Sequence, residues 1–283
     1  MAEITIASNP THAGMLDLKA NIPFANPDGE ELALQLIKPR WASGGPGFPL
    51  VLFIQGSGWT KPDQFWQLPA LSQLAARGFV IASVTHRSCK TAPAPAFLRD
   101  VKTALRFLRA NAAEYDIDKE RVCAFGTSSG GNTALLLGLT GDDPAFEGEA
   151  YAGESTRVQA VVDCFGPAEL EGLFDERMAA HEVNEDFLLY MLGGKDLDTC
   201  HQVLRTISPA AYVTPGRELP PFLLLHGDAD DVVDFSQSEN LYRQLTEQGY
   251  QADLVRVTGA PHEGSFWSQP LWEIIFNFIQ KHT

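Results

Sequence analysis

The chain lacks a CxxC pair, a surplus of basic residues and any long apolar run, and each absence removes a class of function. Its four cysteines, Cys89, Cys123, Cys164 and Cys200, stand far apart. That spacing disfavours a zinc site or a disulfide framework and predicts reduced thiols in a cytoplasmic setting. Cys123 and Cys164 sit inside apolar runs and read as core filler. Lys and Arg total 21 against 36 Asp and Glu, a formal net charge of -15. A surface of that sign repels nucleic acid and anionic membranes, so neither is an expected partner, whereas a small neutral or modestly charged molecule is. No stretch approaches the roughly 18 apolar residues of a membrane span. The opening MAEITIASNPTHAG has an acid at Glu3, no basic leader and no apolar core, so no secretory signal is expected.

What is present suits one large core. A chain of 283 residues with 45% hydrophobic content is expected to fold as a single domain over 1–283. Association with copies of itself is left open. After an irregular start, Glu31 to Lys38 alternates like a half-exposed strand. Leu50 to Ile54, Phe79 to Val84, Val122 to Phe125, Val158 to Val162 and Phe222 to Leu225 are short runs apolar on both faces, the pattern of parallel strands covered by helices on each side. Ala252 to Val257 alternates more and suits a sheet edge. Helical patterns lie between them, over Trp66 to Arg77, Phe97 to Glu114 and Ser236 to Gln248, the first and last stopped by Gly78 and Gly249. Strand alternating with helix predicts an α/β fold with a mostly parallel, doubly wound sheet. The stretch 167–209 interrupts the alternation with short helices, read either as a lid over the site or as an enlarged crossover.

Cys123 to Gly131 reads CAFGTSSGG and centres Ser128 in a GxSxG frame between an apolar strand and the helix-forming NTALLLGL. A serine on so sharp a turn presents its hydroxyl above the sheet edge, and side chains at Gly126 or Gly130 would collide there. The five letters alone also arise in ordinary loops, so the rest of the chain must decide. A serine hydroxyl needs a base, and the base needs a carboxylate to fix its tautomer. His262 follows the strand ADLVRV directly, at the strand end where ligands gather in parallel sheets. His226 and His86 also follow strands but read as local packing or hydrogen-bonding residues. Of the acids in LHGDADDVVD, Asp230 is the choice, Asp231 the fallback, and the others a solvated turn; no histidine pair or EF-hand spacing suggests a metal. The order Ser128, Asp230, His262 is that of α/β-hydrolases. FIQGSGW follows the strand LVLFI, which makes the backbone N–H groups of Ser57 and Gly58, with that of Ser129, the candidate oxyanion donors. Trp59, Phe65, Trp66, Phe266 and Trp267 are candidate pocket walls, core packing being the competing reading. Such a mechanism needs no metal and no cofactor.

Together FIQGSGW, the run APAPAFLRDVKTALRFLRANAAEYDID, FGTSSGGN, VVDCFGPAEL, HGDADDVV and GAPHEG resemble serine esterases of the α/β-hydrolase superfamily over roughly residues 30 to 281. Within it they resemble the branch of bifunctional acetylxylan and feruloyl esterases, related to hormone-sensitive-lipase-like esterases. The resemblance implies a carboxylic ester hydrolase acting on short acyl or carbohydrate-linked esters, acetyl or feruloyl. Prolyl-oligopeptidase-like peptidases share the fold and triad order, and amidase or lactonase chemistry is also open to it. A non-catalytic binding protein on the same fold is the rival of another class. The chain departs from the family where Gln55-Gly56-Ser57-Gly58 stands for HGGG; Gln55 can donate and accept in place of the family histidine, and Ser57 adds a side chain. Relatives also imply an Arg87–Asp100 pair beneath the site. Asp118 reads as the cap of a turn before RVCAF.

Overall fold

Strands apolar on both faces require cover on both sides, and the chain supplies it. The computed structural model describes residues 2–192 and 196–283. Eight strands, β1 (Leu16–Ala25), β2 (Leu32–Pro39), β3 (Phe48–Ile54), β4 (Val80–Val84), β5 (Ile117–Thr127), β6 (Ala160–Cys164), β7 (Phe222–Gly227) and β8 (Ala252–Val257), form one sheet. Their order is β1-β2-β4-β3-β5-β6-β7-β8. From β4 to β8 every pairing is parallel, while β1–β2 and β2–β4 are antiparallel. Along β3, Leu50, Leu52 and Ile54 enter one apolar cluster and Val51 and Phe53 the other. The helices α2 (Ala96–Ala110), α4 (Ser129–Thr140) and α8 (Ser236–Glu247) cover the first face, and α1 (Leu68–Ala75) and α9 (Gln269–His282) the second. Among the described residues no helix is long and apolar enough to cross a membrane.

Several expectations are corrected. The irregular start contains β1, whose largely exposed face and bulges after Lys19 and Pro23 erase the alternation that would mark a strand. The half-exposed strand is largely buried, because Gln35 on its polar face hydrogen-bonds Asn21 and Gln64. The helix expected over Phe97 to Glu114 breaks at Asn111, whose side-chain amide donates to the Phe107 carbonyl, and a short α3 (Ala112–Tyr115) follows. The helix expected from Trp66 begins at Leu68, since Asp63 holds Phe65 and Trp66 in a turn. Asp118 does receive the Glu120 N–H, at 3.1 Å, but in an irregular stretch of β5 rather than before a strand.

Between β6 and β7 lie α5 (Leu170–Ala179), α6 (Glu185–Leu192) and α7 (Leu197–Thr206). Leu170, Phe174, Leu188, Leu192 and Leu204 pack into the first cluster, so these helices rest on the main core. Residues 193–195 of the 167–209 stretch lie outside the described residues.

Arg87 and Asp100 form a two-pronged pair: Arg87 Nη2 donates to Oδ1 at 2.8 Å, and Nε and the Arg87 backbone N–H donate to Oδ2 at 3.0 and 2.9 Å. Both side chains are largely buried. Asp28 also meets the guanidinium but is exposed. Removing one member of a buried pair strands the other's charge. Asp100→Ala is expected to cost about 3–5 kcal/mol in urea unfolding; a loss below about 1 kcal/mol would place the pair with ordinary surface ion pairs.

Candidate active site

Ser128 stands between β5 and α4 with φ 53 and ψ -126, a conformation rarely adopted by a residue with a side chain. The turn tolerates it because its neighbours lack Cβ atoms. A Cβ on Gly126 would lie 2.0 Å from the Gly130 carbonyl oxygen, and one on Gly130 would lie 2.1 Å from that of Ile54. The start of α4 therefore presses against the end of β3, and the Ser128 hydroxyl stands at the carboxyl end of the sheet. Ser128 N–H donates to the Cys164 carbonyl at 2.9 Å, extending the β5–β6 ladder to the serine itself.

The other candidates arrive from neighbouring strand ends. His262 Nε2 lies 2.9 Å from Ser128 Oγ, and its Nδ1 lies 2.7 Å from Asp230 Oδ2. A carboxylate only accepts, so Nδ1 carries the ring proton and Nε2 faces the serine with its lone pair. Phe165 packs on the imidazole at 4.5 Å between ring centres. The Asp230 side chain is fully buried. Burial alone would push its carboxyl up, but hydrogen bonds from His226, His262 and the Val233 N–H together outweigh it and hold the group well below the ordinary carboxylate range. Val232 and Val233 N–H both donate to Oδ1 at 2.8 Å. The alternative acid is elsewhere: Asp231 is exposed. Asp228 accepts the Gly259 N–H, and Asp234 accepts that of Ser236 at the start of α8.

The glycine loop is held by the two hydroxyls flanking Ser128. Thr127 Oγ1 accepts the Gly56 N–H at 3.0 Å, and Ser129 Oγ accepts the Ser57 N–H at 2.9 Å. Gln55 reaches Thr127 Oγ1 only at 3.4 Å, and its buried Oε1 has no partner among the described residues. Ser57 Oγ points away to the Thr60 carbonyl. Of the three expected oxyanion donors, the Ser57 N–H is thus engaged by Ser129. Those of Gly58 and Ser129 have no hydrogen-bond acceptor among the described residues, as befits the first N–H of a helix in the case of Ser129.

A cavity of about 330 Å³ opens beside Ser128 and His262, walled by Gln55, Gly56, Ser57, Asp63, Trp66 and Glu263. Of the aromatic candidates only Trp66, 67% exposed, lines it. Trp59 is buried in the core with Nε1 on Asn132 Oδ1, and Phe266 is likewise buried. Trp267 stacks on Trp272 and donates to Glu263, and Phe65 faces solvent outside the cavity. Helix or loop position alone does not tell a pocket wall from a core aromatic. No described residue of 167–209 lines this cavity. That stretch instead meets the acid turn, where the Arg177 guanidinium donates to the Val232 carbonyl. A larger cavity of about 590 Å³ lies at the far end of α4, bordered by Gly141, Arg157 and Arg217 and remote from Ser128. Among the described residues no group of three or more His, Cys, Asp or Glu is placed to hold a metal ion.

Two residues meet the site in ways the sequence reading did not specify. His226, read as packing or hydrogen-bonding locally, does hydrogen-bond to Val233 and Ser238, and it also reaches Asp230 Oδ2 at 3.2 Å; its spacing four residues before the acid was the available signal. Phe165 carried none, because a phenylalanine after a buried strand looks like any core residue.

Ionised Asp230 has a folded pKa below its unfolded value near 3.8. It therefore contributes stability that is fully present above that value and is lost as pH falls through the lower folded one. Asp230→Asn is expected to unfold at lower urea than the wild type near neutral pH, with the gap narrowing below about pH 4. A gap unchanged into that acid range would contradict the depressed pKa.

Comparison with known proteins fits this geometry. A family model described as BD-FAE matches residues 34–245. Esterase LipC of Mycobacterium tuberculosis is 32% identical over 216 residues, 76% of this chain and 52% of LipC. The chain spans about half the length of the curated relatives it matches. A truncated carbohydrate esterase from gut microbiota superposes with a TM-score of 0.78 at 26% identity, covering 97% of this chain and 98% of that one. A thermophilic esterase of Thermogutta terrifontis with butyrate bound, 24% identical over 96% of this chain and 94% of its own, shares the fold with a TM-score of 0.75.

Proposed function

The chain belongs to the BD-FAE family, and from that premise we propose that it is a carboxylic ester hydrolase working through a serine acyl-enzyme. The observation that carries the reading is the unbroken chain from Ser128 Oγ to His262 at 2.9 Å and from His262 to Asp230 at 2.7 Å. Ser128 Oγ attacks the ester carbonyl while its proton passes to His262 Nε2. Asp230 stabilises the imidazolium, and the carbonyl oxygen, now an anion, takes hydrogen bonds from the N–H groups of Ser129 and Gly58, each worth on the order of 10² to 10³ in rate. His262 then protonates the departing alcohol as the tetrahedral intermediate collapses to an ester on Ser128. Water, deprotonated by His262, attacks that ester and releases the acid, and the proton returns to Ser128. The Ser57 N–H joins the oxyanion donors only if it turns from Ser129 Oγ.

Carbohydrate-linked acetyl or feruloyl esters are the proposed substrates. Support comes from the similar carbohydrate esterase and from Trp66, whose exposed face beside Ser128 offers a flat apolar surface to a sugar ring or an aromatic acyl group. The buried, unpaired cysteines support a reducing, cytoplasmic setting. The net charge of -15 supports a small-molecule substrate over nucleic acid or an anionic membrane.

Wild-type protein is expected to hydrolyse p-nitrophenyl acetate and to take a fluorophosphonate label on Ser128, and Ser128→Ala to lose both. Hydrolysis at the wild-type rate by Ser128→Ala would sink the mechanism. Asp230→Asn is expected to lose activity by about 10⁴-fold, while Asp231→Asn stays near wild type. In a panel of acetyl, butyryl, feruloyl and peptide substrates, preference for the peptides would replace the esterase reading with a peptidase one.

A further inference from the structure

The hydrogen-bonded chain beneath Ser128 does not end at Asp230. His226, at the end of β7, is fully buried, and its Nε2 lies 2.8 Å from the Val233 carbonyl oxygen and 3.2 Å from Asp230 Oδ2. Both neighbours are acceptors, so Nε2 must carry the proton. Nδ1 lies 2.7 Å from Ser238 Oγ on α8. A hydroxyl can turn to donate, and with Ser238 donating the ring is fully satisfied as the neutral Nε2–H tautomer. Asp230 is then contacted at both oxygens: Oδ1 accepts the N–H groups of Val232 and Val233, and Oδ2 meets His262 Nδ1 and also lies within reach of the His226 Nε2–H, whose shorter contact is the Val233 carbonyl.

We propose that His226, locked in its Nε2–H tautomer by Ser238, is a positioning residue for Asp230; the inference rests on the hydrolase reading above. Its Nε2–H braces the acid turn at the Val233 carbonyl, whose own N–H holds Oδ1, and also faces Oδ2, so His226 supports the carboxylate plane that points Oδ2 at His262 Nδ1. As the Nε2–H tautomer with Ser238 donating to Nδ1, His226 makes this contact without placing a cation beside the imidazolium that forms on His262, which would oppose the proton transfer. Hydrogen bonds to a buried carboxylate are the strong ones, since the surroundings do not screen them. The His226 ring is itself buried, with the rings of Phe165 and Phe235 at 6.5 and 5.8 Å between centres. The charged groups facing it are Asp230 and His262, with Asp234 near enough to interact. Arg256, its partner on β8, turns its guanidinium over Phe235 and toward Glu239.

The test compares His226→Met, which fills similar space without a donor, with His226→Gln, whose amide nitrogen reaches as far as Nε2. His226→Met is expected to lower kcat by about 10- to 100-fold with KM nearly unchanged, the scale of a hydrogen bond to a charged group. His226→Gln is expected to recover most of that loss. In an Asp230→Asn background, the Met substitution is expected to cost no more than about twofold, because the residue acts through the carboxylate. An unchanged kcat, a loss confined to KM, an equal loss in both backgrounds, or a Gln variant no better than Met would each overturn the proposal. The tautomer is read separately from histidine ¹⁵N shifts of the wild-type protein, which needs neither catalysis nor a folded variant. A proton on Nε2 is expected, and one on Nδ1 overturns the proposal. A wild-type protein that hydrolyses no ester would instead remove the hydrolase reading and leave this measurement standing.

Discussion

The close approach of α4 to β3 is the contact on which the rest of the site depends. With Gly130 against the Ile54 carbonyl and Gly126 against Gly130, the chain turns from strand to helix within one residue, and that residue is Ser128. The strained backbone at Ser128 persists because β5 is the sheet's central strand, paired on both sides by β3 and β6. The same contact brings the loop after β3 beside the serine, where Thr127 and Ser129 hold it by their hydroxyls. One packing constraint thus sets Ser128 and the backbone N–H groups that face it.

The second half of the site depends on a different property, the burial of the Asp230 side chain within an otherwise exposed turn. Asp230 is buried and yet held anionic, because donors surround both of its oxygens. Among the described residues, the helical insertion contributes here rather than at the cavity: Arg177 on α5 grips the Val232 carbonyl, in the turn whose N–H groups hold Asp230. A polar network of this kind is costly if any member is missing and rigid when complete. The open cavity in front of it, with Trp66 exposed on its wall, contrasts with that rigidity.

Legibility in the sequence followed the strength of the local signal. Strands buried on both faces announced themselves as apolar runs, and β3, β4, β5, β6 and β7 all lie on such runs, within a few residues at their ends. β1 did not, because an exposed, bulged edge strand has no face to bury. Ser128, His262 and Asp230 were readable because each follows a strand, and parallel strands deliver their ends to one rim. The aromatic walls were not: Trp59 and Trp66 both lie after β3, yet one is in the core and the other in solvent. Gln55, standing where HGGG has its histidine, does little to hold the loop, and the hydroxyls beside Ser128 do it instead.

By itself the sequence determined the α/β alternation, the sharp turn at Ser128, and the placing of Ser128, Asp230 and His262 each after a strand, because glycine spacing and apolar periodicity act over a few residues. Only the tertiary structure decided that Asp230 rather than Asp231 faces His262, that the Ser57 N–H is engaged, and that His226 joins the network. Those outcomes turn on distances between side chains 32 to 134 residues apart in the chain, or on which way neighbouring side chains point within one turn. Local residue patterns carry neither kind of information, since direction and distance across the molecule are set by how the whole sheet and its helices pack.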